Sequence, residues 1–163
     1  MQTAEAVVRL VWLGVGATMF MDASAWLQKR LWGMASADYG LVGRWLGHMC
    51  HGQFCHESIV KAPRRRHERR VGWLFHYITG CVFAGVLVAV EGLGWLQQPT
   101  LLPALLTGLM SVVAPFFVMQ PAFGFGLAAS KTPSPWAARR RSLMAHLLFG
   151  VGLFLAGWVG ALG

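Results

Sequence analysis

Asp22, His76, Gln120 and His146 are polar side chains set well inside otherwise apolar stretches of this 163-residue chain. A carboxyl group and two imidazoles can take up and release protons in the physiological range once their surroundings adjust them. An amide beside them can orient a polar solute. Two imidazoles facing each other can also ligate a haem, although no attachment motif accompanies them. An ionised aspartate in mid-helix costs about 3 kcal/mol in a bilayer, so Asp22 is expected to face the protein interior, either protonated or paired with His76 or His146. Two readings stand side by side: a small polar cavity handling a proton, metal or solute, and interhelical hydrogen bonds that only hold helices together.

A second cluster, His48, Cys50, His51, Cys55, His56 and Glu57, lies between apolar stretches. Imidazole and thiolate at this density suit Zn²⁺ or Cu⁺. The spacing matches no standard zinc pattern, however, and a continuing helix would turn Cys50 away from His48. The alternative is an interfacial segment carrying titratable and thiol groups. Nucleophile elbows, phosphate-cradling loops and His-Glu-x-x-His motifs are absent, and Gly124-Phe125-Gly126 is too short to cradle a phosphate. No catalytic residues are assigned.

What positions these residues is a set of long apolar segments. A hydrocarbon core of about 30 Å needs roughly 20 apolar residues in helix. Residues 7–29, 71–96, 101–126 and 143–162 meet that length. With 56% hydrophobic and 12% charged residues the chain is unlike a water-soluble domain. The apolar runs do not alternate, which argues against a β-barrel. The expectation is an all-α polytopic membrane protein: a single integral membrane domain over 1–163, four transmembrane helices, and a loop at 33–70 holding a short amphipathic helix. Helix rise places Asp22 about 10 Å from Lys29, and His76 and His146 similarly close to Arg70 and Arg141. Gln120 lies further from Lys131 along the chain, but the prolines shorten that path, so all four are expected in one layer of the inner leaflet.

The formal charge of +8 is unevenly spread. Lys29, Arg30, Arg44, Lys61, Arg64, Arg65, Arg66, Arg69 and Arg70 flank or occupy the first long connection, and Lys131, Arg139, Arg140 and Arg141 the last. Arg9 stands apart. By the positive-inside rule both connections face the cytoplasm and both termini face outward. The basic clusters then bind anionic headgroups, not nucleic acid. Ala23-Ser24-Ala25 resembles a signal-peptidase site, but Glu5 against Arg9 is not a basic leader, so an uncleaved anchor is expected. Cys50 and Cys55 fall on the reducing side and Cys81 within a span, so no structural disulfide is expected.

Finer patterning sets further expectations. Gly14, Thr18 and Asp22 make a small or polar stripe on the first helix, and Gly152, Ala156 and Gly160 another on the fourth, both suited to close helix contact. Ser36 is expected to cap a helix bearing Val42, Trp45, Leu46 and Met49 on one face, with Trp45 at headgroup depth and Arg44, His48 and His51 on the solvated face; Gly52 ends it. Val60 to Arg70 reads as a solvated linker. Pro115 and Pro121 should kink or break the third span. His76-x-x-x-Gly80 and His146-x-x-x-Gly150 echo each other after paired arginines, as in a parallel repeat.

The chain also resembles a family of small bacterial integral membrane proteins known as domain of unknown function 2938. The resemblance rests on Asp38-Tyr39, Val42-Gly43-Arg44-Trp45, Gly47-His48, Phe54, His56, Gly72-Trp73, His76-Tyr77, Pro115-Phe116-Phe117, Gln120-Pro121, Ala128-Ala129-Ser130, Thr132-Pro133, Arg141-Ser142-Leu143 and His146. Cys50, His51 and Cys55 lie outside the pattern. The resemblance implies an inner-membrane location and supplies no ligand or activity. The leading expectation is a small transporter or permease component, acting as a homo-oligomer because four helices enclose little. The alternatives are a haem- or metal-binding protein using His76 and His146, and a membrane-embedded enzyme with Asp22 and a histidine as acid and base.

Overall fold

A computed structural model describes residues 3–162 and contains no strand among them. Helix α1 spans Thr3–Trp32, α2 Tyr39–Met49, α3 Glu68–Glu91, α4 Leu101–Met110, α5 Gln120–Ala122 and α6 Pro135–Ala161. Four helical stretches are long and apolar enough to cross a membrane: Ala4–Trp32, Glu68–Glu91, Leu101–Ala122 and Pro135–Ala161. The helices reach beyond the apolar runs, because Pro135 and the basic residues after it are already helical before the hydrophobic part of α6 begins.

The third stretch is broken as its prolines require. Pro115 and Pro121 cannot donate backbone hydrogen bonds. The chain passes from α4 through a π-helical turn at Ala114–Met119 before α5, and the Gln120 N–H reaches back to the Pro115 carbonyl. Beyond α5 the backbone turns sharply, with Gly124, Gly126, Ala128 and Ala129 all at positive φ.

The chain forms two compact units. The first comprises Met1–Ser36, Tyr77–Ser111 and Met144–Gly163. Its core holds Leu13, Ala17, Leu87, Trp95, Phe149 and Leu153 among others. Helices apolar enough to span a bilayer would gain no hydrophobic drive from pairing there, so close packing is what can join them. Both small-residue stripes do this. Gly14 abuts the Cys81 backbone, and Thr18 fills the space beside Gly80. Gly152 lies on Ala17, Gly16 on Ala156, and Gly160 on Trp12. The Trp12 indole N–H donates to the Ala156 carbonyl at 3.1 Å along the same seam. The two glycines of the histidine echo have counterparts here too, with Gly150 set against Ala104 and Gly108.

The second unit comprises Ala37–His76 and Val112–Leu143. Val42, Trp45, Ile59, Ala122 and Phe123 form its core, with Leu46 and Met49 packed on them. The amphipathic pattern of α2 therefore marks a packing face. Three expectations need correction. The N-cap is Asp38, whose carboxylate accepts from the Gly40 N–H at 2.9 Å, while Ser36 lies outside the helix. The helix ends at Met49, and Gly52 serves the following turn at φ 79°. Its polar face is solvated only at His51, since Arg44 and His48 are both buried, as is Trp45. The Val60 to Arg70 linker is not simply solvated either: its carbonyls and Arg65 fold onto α2, after Ile59, which is fully buried.

Candidate functional site

In the second unit α2 crosses the start of α3 without intervening side chains. A Cβ on Gly43 would strike the Glu68 carbonyl, and one on Gly72 would strike the Tyr39 carbonyl. This backbone contact brings Arg44 onto Glu68. The guanidinium donates from Nε and Nη2, each at 2.9 Å, to the two carboxylate oxygens. Its Nη1 is shared among the carbonyls of Ile59 and Val60, each at 3.1 Å, and Ala62 at 3.3 Å. Glu68 also accepts from the Arg65 backbone N–H at 3.1 Å. Side-chain exposures of 8% and 17% make this a buried, two-point ion pair, the geometry in which such a pair can offset its desolvation. The Glu68 hydrogen bond pushes the Arg44 guanidinium above its ordinary pKa against the opposing effect of burial.

One turn along α2, His48 is buried with both ring nitrogens engaged. Nε2 lies 3.0 Å from the Pro63 carbonyl, and Nδ1 lies 3.2 Å from Arg65 Nη2. A carbonyl only accepts and a guanidinium only donates, so Nε2 carries the hydrogen and Nδ1 accepts. His56 packs edge-on to His48, ring centroids 4.9 Å apart. It is 9% exposed, and neither ring nitrogen has a hydrogen-bond partner among the described residues. Burial first, and His48 second, push its imidazole below the ordinary histidine value. The His56 backbone is better satisfied: its N–H donates to the Ala122 carbonyl at 2.9 Å, and the Ile59 N–H donates to Phe123 at 3.0 Å. Gly124 leaves room for this, because a Cβ there would overlap the Glu57 carbonyl.

The proposed metal set is not assembled. Cys50, His51 and Cys55 are exposed, whereas His48 and His56 are buried, and among the described residues no three His, Cys, Asp or Glu side chains group as metal ligands.

Asp22, His76, Gln120 and His146, the polar residues of the apolar stretches, each have partners of their own. In the first unit Asp22 of α1 and Tyr77 of α3 hydrogen-bond through their side chains. An open apolar groove of about 530 Å³, lined by Leu10, Val15, Tyr77, Ile78 and Val82 among others, runs beside them. His146 Nδ1 lies 2.6 Å from the Ser111 hydroxyl, which donates at 2.6 Å to the Gly108 carbonyl and so accepts from the ring. In the second unit His76 stacks on Tyr39 at 4.1 Å and meets Trp73 edge-on at 5.8 Å. Gln120 reaches Ser142 at 3.5 Å, while its buried Oε1 has no partner among the described residues.

A family model described as a protein of unknown function matches residues 11–160. The chain belongs to the DUF2938 family. No curated protein and no solved structure matches it. DUF2938 membership covers both units, and the residues on which the resemblance rests include Tyr39, Arg44, Trp45, His48, His56 and His76, the side chains that build the second unit's polar and aromatic contacts. The Arg44–Glu68 pair, the Tyr77 partner of Asp22 and the Ser111 partner of His146 escaped sequence reasoning. Gly43 and Gly47, four apart on α2, were an available signal for close packing of that helix.

Proposed function

We propose that the protein is a multi-pass protein of the bacterial cytoplasmic membrane that passes a proton, or a small polar solute together with one, and that it acts as a homo-oligomer. The carrying observation is the hydrogen bond between Asp22 and Tyr77 within helices apolar enough to span a bilayer. An intramembrane carboxyl group is costly and marks a pathway by default. A phenol beside it lets the carboxyl group lose or regain a proton without being left unpartnered. The many exposed apolar side chains, Val86, Leu102, Leu106 and Trp158 among them, suit lipid and protein neighbours. The weight of lysine and arginine in the Lys29–Arg70 and Lys131–Arg141 regions supports outward termini, cytoplasmic basic loops and contact with anionic headgroups.

Proteoliposomes enclosing a pH-sensitive dye test the reading. Wild-type protein should dissipate an imposed pH gradient faster than empty vesicles, and Asp22→Asn should cut that rate at least about tenfold while keeping its melting temperature, because it retains shape but not the titratable proton. Unaltered flux in Asp22→Asn, or no flux above empty vesicles in wild type, would refute it. In intact cells a cysteine at Gln97 should label from outside and one at Arg65 should not. A Soret band in purified protein would instead revive the haem reading of His76 and His146.

A further inference from the structure

We propose that His56 is a proton-binding site whose occupancy releases the 54–62 segment from the end of the broken third helical stretch, making the second unit an acid-sensitive latch. The latch is small and local. Two backbone hydrogen bonds, His56 to Ala122 and Ile59 to Phe123, fasten the segment, and Ile59 is fully buried beneath it. The His56 ring lies inside this joint, and among the described residues neither nitrogen has a hydrogen-bond partner.

The surroundings offer a second proton on that ring no stabilisation. From α2 it meets His48, whose Nδ1 is already turned to Arg65 and whose Nε2–H is already given to Pro63. Arg44, on the same helix, is committed to Glu68. From the 57–68 segment, Arg65 adds positive charge, and Glu68 has both oxygens taken by Arg44 and the Arg65 N–H. Glu57 is exposed, as are Lys61 and Arg64. The docked residues 119–125 carry no titratable side chain. An imidazolium at this place would be a buried cation without an acceptor, whereas in the released segment it would be hydrated.

The sign follows from linkage. The docked state holds His56 below its ordinary value, so it binds fewer protons than the released state. Docking is therefore fully favoured above about pH 6.5 and weakens as pH falls, by up to about tenfold in the docking equilibrium per pH unit until the docked ring itself titrates. Proton uptake thereby frees the chain next to a π-helical turn, an irregularity frequent at functional sites.

Hydrogen exchange on the whole protein in detergent reads the latch directly and needs no transport activity. After correction for intrinsic exchange, protection of the His56 and Ile59 amides should fall up to about fivefold between pH 6.5 and 5.5 and return on neutralisation. His56→Phe should remove this pH dependence, and the exposed His51→Ala should keep it. Constant protection from pH 7.5 to 5.0, or persistence of the dependence in His56→Phe, would overturn the proposal. Should His56→Phe not fold, the His56 ring resonance of wild type decides: a midpoint below about 6.5 is expected, and one at or above it refutes the latch.

Discussion

The two units of this chain solve the same packing problem with different chemistry. In the first, glycine and alanine let apolar helices touch, as at Gly14 on Cys81 and Gly152 on Ala17, and polar groups enter as isolated pairs: Asp22 with Tyr77, His146 with Ser111. In the second, a glycine contact between α2 and α3 is reinforced by a buried ion pair and two buried histidines. Small-residue contacts tolerate no added volume but carry no charge to orphan. A buried ion pair tolerates repacking but not the loss of one partner. The units should therefore fail in opposite ways.

Breaking the Arg44–Glu68 pair should give the largest effect. Arg44→Ala leaves a half-buried carboxylate and three loop carbonyls without their donor, and should cost about 3 kcal/mol in thermal unfolding. The double substitution Arg44→Met with Glu68→Leu should be milder than Arg44→Ala, since no charge is stranded. A double variant as unstable as the single one would show that the carbonyl contacts, not the ion pair, hold the second unit.

Next should come the glycine contacts. Gly43→Ala and Gly72→Ala place a methyl group against backbone that cannot rotate away, and each should cost about 1–3 kcal/mol, with Gly14→Ala in the first unit comparable. Gly85→Ala sharpens the comparison, because its nearest neighbour would be Leu10 at an ordinary 3.7 Å, and the gain in helix propensity of up to about 1 kcal/mol should leave it neutral or more stable. Thermal melts of the four variants in one detergent would rank them. Equal losses at Gly85 and Gly43 would mean that helix–helix approach is not what these glycines provide.

The hydropathy pattern made the four apolar stretches legible, and the prolines at 115 and 121 foretold the break in the third. The stripes Gly14–Thr18–Asp22 and Gly152–Ala156–Gly160 were legible for the same reason: in an apolar helix a small or polar residue has few other uses. Arg44 and His48 were misread because periodicity assigns polar residues to water unless a partner is known. Glu68 is 24 residues away, and the carbonyls that complete the Arg44 site belong to a segment without regular structure. For Asp22, His76, Gln120 and His146, helix rise speaks only to height along an axis and leaves direction around it open. Tyr77 as the partner of Asp22 and Ser111 as that of His146 could not be read from spacing alone.

The π-helical turn at Ala114–Met119 stores information of another kind, that of frame. An α-helix advances about 100° per residue, so a turn holding one extra residue resets the phase of everything after it. Ala122 and Phe123, which follow that turn, pack with Trp45 and Ile59. Deleting a single residue between Ala114 and Met119 would leave hydropathy and length almost untouched and still swing both side chains off their contacts by about 100°. In this segment the count of residues, more than their character, decides what faces what.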